Sequence, residues 1–374
     1  MENLHRFGRT TDRRPTVTLS ADSTHLLDGA PAQLDAKLAS WCQQQQVPEY
    51  RARQIRQHLI DNRILDPADM TSLPETMRQQ LAEGFLTPPF QETVVQRSVD
   101  GTMKFRFCLL DGLSIESVWI PSGDRGTLCL SSQVGCAAGC TFCATGTMKL
   151  SRNLTPKEII GQWLAVHAAT VAEGQPGVTQ VVFMGMGEPL HNYEAVSRSI
   201  QWFSSADAYK FSPRRITVST VGIIPKIREL VKDHPQVRLA VSLHSAIQST
   251  RNEIVPINVR HDLDELRDML EEIKTDTRRI SLEYVVLPGV NDAPEEATAL
   301  ASFAWRCDAH INLLPFHPFE GAPYRAATEG DVARFMTLLE AEYDGPVTAR
   351  RSRGLDIDGA CGQLVLKTRP DPSS

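Results

Sequence analysis

Apolar residues recur along this chain with two periods, and the changes of period divide it. From Ala32 the spacing is helical: Leu34, Leu38 and Trp41 fall at i, i+4 and i+7, a single buried stripe. A second helix is expected from Glu49 to about Asn62, with Ile55, Leu59 and Ile60 inward and Arg51, Arg53 and Arg56 making a basic surface. A charge run of this kind serves either as an ordinary solvated face or as an RNA-docking face. A third helix near Pro74 to Ala82 completes a helical module over residues 31–90. Residues 1–30 are polar without a sustained period and are expected to be disordered.

The period then shortens to two. Asp100-Gly101 and Asp111-Gly112 interrupt alternating residues, and Asp-Gly is a strong hairpin signal because both turn positions favour positive φ. Thr93–Val99, Thr102–Leu110 and Leu113–Ile120 therefore read as a β-meander over residues 91–125. Glu116 shares a strand face with Val118 and Ile120. It is either the polar edge of the meander or an acid turned inward.

From Thr127 short β-rich runs alternate with helical ones. The strands are Thr127–Ser132, Gln180–Met184, Arg215–Ser219, Arg238–Ser242, Ser281–Val286 and Ile311–Leu314. Lys157–Ala172, Tyr193–Ser204, Leu263–Lys274, Glu295–Trp305 and Val332–Tyr343 are among the helices between them. Such alternation predicts an α/β fold with a parallel sheet and right-handed crossovers. The period alone leaves a doubly wound layer and an incomplete barrel both open. Polar punctuation recurs just past the strand ends, at Gly185-Met-Gly187-Glu188, Ser219-Thr-Val-Gly222, Ser242-Leu243-His244, Pro288-Gly289-Val-Asn291-Asp292 and Pro315-Phe-His317-Pro318. Sites on β/α barrels are built from that face.

Composition narrows the class. The chain has 374 residues, 41% hydrophobic and 22% charged, ordinary values for a soluble globular protein. It has no apolar run of about 18 residues, so no membrane span is expected. The first residues lack the apolar core of a signal peptide. Eight cysteines in a chain this long do not make a disulfide framework, and a reducing cytoplasm is expected. With a net charge of −6, a nucleic acid would have to bind a local basic surface.

The cysteines supply the chemistry. Cys136, Cys140 and Cys143 stand in C-x-x-x-C-x-x-C spacing, and no Cys or His follows within the next dozen residues. A structural zinc site needs four protein ligands. Three thiolates can instead hold an iron–sulfur cluster with one iron open to a substrate or cosubstrate; incidental cysteines are the third alternative. Cys129 lies inside the first barrel strand, and Cys361 lies in a Gly- and Asp-rich loop where a thiol can move and react. Taken alone, Gly187-Glu188, Ser219, Ser242 and His244 are equally well turn residues and a satisfied structural histidine.

Colinear segments from Tyr50 to Leu364 resemble the RlmN/Cfr family of radical S-adenosylmethionine (SAM) RNA methyltransferases. They are Tyr50-Arg-Ala-Arg-Gln-Ile55, Leu128-Cys-Leu-Ser-Ser-Gln-Val-Gly-Cys136, the triad, Ser151-Arg-Asn-Leu-Thr155, Phe183-Met-Gly-Met-Gly-Glu-Pro-Leu190, Val218-Ser-Thr-Val-Gly222, Leu239-Ala-Val-Ser-Leu-His244 and the Cys361 tail. The resemblance implies a partial (β/α)6 radical-SAM barrel over residues 126–345. It also implies an accessory RNA-docking module, the meander extension, and a C-terminal segment, 346–374, carrying a methyl-accepting cysteine.

The resemblance further implies one [4Fe-4S] cluster on Cys136, Cys140 and Cys143, with SAM on the open iron and two SAM consumed per turnover. SAM contacts carry over to Gly187, Glu188, Ser219, Ser242, Leu243, His244 and His317, the last where the family commonly has Asn. Thr147-Met148-Lys149 is a second departure, standing where the family is often glycine-rich. Cys361 is implied as an S-methylcysteine intermediate, Glu116 as proton acceptor and Cys129 as the thiol that resolves a protein–RNA adduct. The implied activity is methylation of adenosine carbon 2 in 23S rRNA and possibly tRNA, by a cytoplasmic monomer served by an electron donor such as flavodoxin or ferredoxin. Methylation of carbon 8, and a non-catalytic RNA-binding or ribosome-assembly factor, are the rival readings.

Overall fold

The computed structural model describes residues 5–7, 25–257 and 262–364. Its strands are β1 (His5–Phe7), β2 (Phe90–Arg97), β3 (Met103–Leu109), β4 (Ser114–Ser122), β5 (Arg125–Cys129), β6 (Gln133–Val134), β7 (Arg152–Asn153), β8 (Gln180–Phe183), β9 (Ile216–Thr220), β10 (Arg238–Ser242), β11 (Ser281–Val286), β12 (His310–Pro315) and β13 (Val347–Ala349). Among the described residues, eleven strands form one sheet in the order β1-β2-β3-β4-β5-β8-β9-β10-β11-β12-β13, and β6 pairs β7 separately. Pairing is antiparallel from β1 to β5 and parallel from β5 to β13. The meander and the α/β half are thus one hydrogen-bonded sheet, joined at β4 and β5. The six expected parallel strands are present, and β13 adds one that three residues of alternation were too short to signal.

Apolar strand residues meet the helices in one core. Leu128, Val181, Val218, Leu239, Leu282 and Ile311 are each at most 1% exposed. The helix Pro156–Ala172 starts on a reciprocal capping box between Thr155 and Glu158. Arg152 clamps that Glu158 at 2.8 Å, which ties β7 to the helix start. Among the described residues no helix is long and apolar enough to cross a membrane.

The meander turns differ from expectation in detail. Gly101 and Gly112 have φ of 85° and 83°, but Asp100 and Asp111 do not enter the left-handed region. Their carboxylates instead accept the N–H two residues on, Thr102 at 2.9 Å and Leu113 at 3.1 Å.

The helical module comprises Leu34–Gln44, Tyr50–Arg56 widening into a π turn at Gln57–Asp61, and Glu75–Gln80. Leu34, Leu38, Trp41, Ile55, Leu59 and Ile60 are buried. Arg53 is exposed, whereas Arg56 is half-buried, 3.3 Å from Asp35 and donating to the Asp207 carbonyl at 3.1 Å. One of the three expected basic side chains therefore stitches the module to the barrel. Arg63 adds a second seam, stacked 5.3 Å over the Trp163 ring.

The expected disorder of residues 1–30 is corrected where the structure describes them. Residues 5–7 form β1 against β2, and Leu26 and Leu27 are fully buried. His25 fixes that turn: Nδ1 accepts from Leu27 N at 3.2 Å, and Nε2 lies 3.0 Å from the Thr87 carbonyl. Trp202 Nε1 donates to the Gly29 carbonyl at 2.8 Å. A two-leucine anchor is too short to register as a period. The rest of that expectation, residues 1–4 and 8–24, lies outside the described residues, as do 365–374 of the expected C-terminal segment.

Candidate active site

The cysteine loop hangs between β6 and β7. Gly135 begins it with φ of 78°, and a Cβ there would sit 2.2 Å from the Lys149 carbonyl oxygen, so the ribbon closes only over glycine. Cys143 N donates to the Cys140 carbonyl at 3.2 Å, and Ala138 N to Cys136 Sγ at 3.4 Å. Cys136, Cys140 and Cys143 line one cavity at the C-terminal ends of the parallel strands. Phe183, Met184, Ser219, Ser242, Glu283, Leu314 and Cys361 line it too, and with its open mouth it encloses about 1040 Å³.

The three thiols suit a cluster. Burial pushes Cys136 up to about 11, and Cys140 rises well above the ordinary thiol range through burial and then through its two neighbouring thiols. Cys143 is raised by burial against the opposing N–H groups of Gly146 and Thr145. Thiolates packed this way repel one another until a Lewis-acidic metal takes their charge, and a coordinating thiol is deprotonated outright. Among the described residues no three or more His, Cys, Asp or Glu side chains converge on a single-ion position. Three thiols on one cavity suit a cluster that leaves one iron open.

The far wall is polar and prearranged. Glu188 is 3% exposed and is pushed up to about 7 by burial, against the N–H donors that oppose it. Its two carboxylate oxygens accept from Leu190 N and Val221 N, both at 2.9 Å. Ser219 Oγ and Ser242 Oγ lie 3.1 Å apart at the ends of β9 and β10. His244 is buried with φ of 60°, and burial pulls it down to about 3, so it is neutral. Its Nδ1 accepts from Val285 N at 3.0 Å, which leaves the ring hydrogen on Nε2. Gly187, Glu188, Ser219, Ser242 and His244 thus present ammonium- and carboxylate-binding groups to the cavity that the cysteines line.

Two expected SAM contacts sit elsewhere. Leu243 is fully buried; its N–H donates to the Glu283 carbonyl at 3.0 Å and its carbonyl accepts from Arg251 Nε at 2.9 Å. His317 does not line the cavity: its Nε2 lies 2.6 Å from Ser352 Oγ, drawing the longer imidazole toward the C-terminal segment. Other site residues carried no sequence signal of their own. Arg251, 1% exposed, ties together the segments that follow β9 and β10, through the carbonyl of Val221 and those of Ser242 and Leu243. Glu283 lines the cavity at 4% exposure and is held by Asn312 Nδ2 at 2.9 Å. A carboxylate inside the apolar run Ser281–Val286 was the only hint of it.

The remaining three expected residues meet under the C-terminal loop. Cross-strand register sets Lys104 opposite Val118 and Val118 opposite Cys129, so all three share one sheet face with Glu116. Glu116 is 5% exposed, an inward acid rather than an edge. The loop is docked on the cysteine loop by Ala144 N to the Gly362 carbonyl at 2.7 Å and Thr145 Oγ1 to the Leu364 carbonyl at 2.6 Å. Cys361 is exposed to the cavity, its thiol raised by the surrounding protein and then by the Glu283 carboxylate. Burial and then the charge of Cys361 push the Cys129 thiol up, so the two sulfurs are electrostatic neighbours. Such an arrangement permits thiol chemistry between Cys129 and Cys361 beside a carboxylate base, at the edge of a cluster-sized pocket.

Residues 130–301 match the radical SAM superfamily. The dual-specificity RNA methyltransferase RlmN of Anaeromyxobacter dehalogenans is 44% identical over 332 residues, 86% of this chain and 88% of that protein. The probable dual-specificity RNA methyltransferase RlmN of Gemmatimonas aurantiaca is 42% identical over 342 residues, 91% and 92% of the two chains. The crystal structure of a radical SAM methyltransferase from Sphaerobacter thermophilus is similar with a TM-score of 0.85 at 40% identity, covering 91% of this chain and 99% of that one.

Proposed function

Because the chain belongs to the RlmN family of radical SAM methyltransferases, we propose that it methylates carbon 2 of adenosine in RNA, with 23S rRNA and tRNA as substrates. The observation that carries this reading is the meeting of Glu116, Cys129 and the Cys361 loop on one sheet face beside the three-cysteine cavity. Adenine carbon 2 is an electron-poor ring carbon with no nucleophilic character, so a methyl group cannot be delivered to it by simple displacement. When bound, a [4Fe-4S] cluster with SAM supplies reductive cleavage to a hydrogen-abstracting radical, and a second SAM supplies an electrophilic methyl group.

The chain's residues divide the remaining work. Cys136, Cys140 and Cys143 hold the cluster, and Glu188, with Ser219, Ser242 and His244, orients the cosubstrate's ammonium and carboxylate ends. Cys361 Sγ takes the methyl group, gives up one hydrogen from it and becomes bonded through that carbon to the ring. Glu116 takes the ring proton, and the one surplus electron left on the ring by radical addition would pass back to the oxidised cluster when it is bound, which restores a closed-shell ring. Cys129 Sγ then attacks Cys361 Sγ: an S–S bond forms, the S–C bond breaks and its electron pair stays with the departing carbon, which a proton completes as a methyl group. A cytoplasmic monomer is our reading; a thiolate-held cluster that would need reduction before SAM is cleaved suits a reducing compartment and a low-potential donor such as flavodoxin or ferredoxin.

The test compares two equally small changes. Cys129→Ala should accumulate a protein–RNA species that survives denaturation, joined at Cys361, whereas Cys361→Ala should form none. Equal yields from the two variants would sink the assignment. Mass spectrometry of the RNA product reads the methyl position, and a methyl on carbon 8 would overturn carbon 2.

A further inference from the structure

Beneath the Cys361 loop lies a buried amine that the proposed chemistry does not use. Lys104 on β3 is 6% exposed. Its Nζ stands 3.6 Å from Glu116 Oε1 and 3.5 Å from the carbonyl oxygen of Asp358, three residues before Cys361. Taking an ammonium out of water costs several kcal/mol unless charges and dipoles replace the lost hydration. A lysine this deep is therefore defined by what it touches, and here it touches both the acid and the loop.

The register explains how one side chain reaches both. Arg106 is directly opposite Glu116, while Lys104 is opposite Val118 and so diagonal to the acid, nearer the loop. The base of the loop is fixed independently. Asp356 accepts from Ser98 Oγ at 2.5 Å and Val99 N at 3.1 Å, and Gly354 N donates to Asp100 Oδ2 at 3.0 Å. The β2–β3 turn thus holds residues 354–356, and Lys104 holds residue 358, next to the methyl carrier. The charged and titratable groups nearest Glu116 on its face are Lys104 and Arg106 of β3 and Cys129 of β5, with Asp358 and Cys361 on the loop; Glu92 of β2, Cys108 of β3 and Arg125 of β5 lie farther along the same face.

We propose that Lys104 is a positioning residue whose single ammonium ties the Glu116 carboxylate to the loop that carries Cys361, so that base and methyl carrier are held in register. It rests on the roles proposed for Glu116 and Cys361. A carboxylate beside a cation stays ionised to lower pH, so Lys104 also keeps the acceptor able to accept.

The test uses the full-length, cluster-loaded protein with RNA, and the same variants without RNA. In single-turnover methylation, Lys104→Met should move the acid limb of the pH profile upward by about 1–3 units, the effect of removing a cation next to a carboxylate. Lys104→Arg should restore the limb. Without RNA or SAM, amide hydrogen exchange across residues 354–364 should quicken about tenfold or more in Lys104→Met, the factor expected for losing a charge-assisted hydrogen bond. Lys104→Met leaves a buried acid without this cation, which lowers stability on its own account, so Lys104→Met/Glu116→Gln removes both charges; it should recover the melting temperature while exchange stays fast. An unmoved acid limb in Lys104→Met, or slow exchange in the double variant, overturns the proposal. Full methylation by Cys361→Ala would instead defeat the proposed function on which it rests.

Discussion

Gly135 illustrates how little latitude single residues have around the three cysteines. Its φ of 78° and the 2.2 Å approach of a Cβ to the Lys149 carbonyl mean that alanine must push the β6–β7 ribbon apart. Gly135→Ala should leave the barrel folded but lower iron severalfold from the about four per chain of one [4Fe-4S] cluster, measured on anaerobically reconstituted protein. Wild-type iron content in that variant would show that the ribbon does not set the thiol geometry. At this scale the sequence spoke clearly through cysteine spacing and faintly elsewhere. Glu283 is a single carboxylate inside an apolar run and Arg251 one polar residue among several, and only the packing reveals that the first faces the cavity and the second joins the ends of β9 and β10. The substitution of His for Asn at position 317 was visible, but the direction its ring takes, toward Ser352, depends on a residue thirty-five positions away.

Among elements, the helix Tyr50–Arg56 needs its three arginines separated. Arg53 is exposed, while Arg56 is spent on Asp35 and the Asp207 carbonyl. Arg53→Glu should weaken RNA binding with a reduced salt slope and leave melting unchanged, since a phosphate contact is electrostatic. Arg56→Glu should lower the melting temperature as well, because it breaks the seam between module and barrel. Unchanged RNA affinity of Arg53→Glu at low salt would make the helix purely structural. Elements with a long, clean period were legible: the six parallel strands, their helices and the meander all lie within a few residues of where periodicity put them. What escaped was short or depended on distant partners. β1 and β13 are three residues each, and the turn at Leu26–Asp28 is held by Thr87 and Trp202 rather than by its own pattern. The approach of Cys129 to Cys361 had no local signal at all and came only through the family resemblance.

For the molecule as a whole, two histidines, His25 buried and His167 half-buried, stand at the junction between module and barrel. Burial pulls His25 down to about 3 and His167 down to about 4, far below the ordinary 6.5. Both are neutral when folded, and the unfolded chain binds their protons first as pH falls. The stability they confer is therefore complete above about pH 6.5 and is lost as pH drops toward 4, by up to about 1.4 kcal/mol per unit for buried His25 and by less for His167, whose half-buried ring is screened by solvent. Urea midpoints should fall steeply below pH 6.5, and His25→Gln should flatten that slope while lowering stability at pH 7; an unchanged slope would locate the acid-sensitive groups elsewhere. The dependence of the cysteine loop on Gly362 and Leu364 also has a meaning in time. Thr145 and Leu364 are separated by 219 residues. At about 5–20 residues per second of synthesis, roughly 10–45 s pass between the making of one and the making of the other. For that interval the three thiols have emerged or are emerging without the segment that closes over them. The pocket is therefore open longest on the side that Cys361 covers, and until Leu364 is made the three thiols lack the segment that shields them.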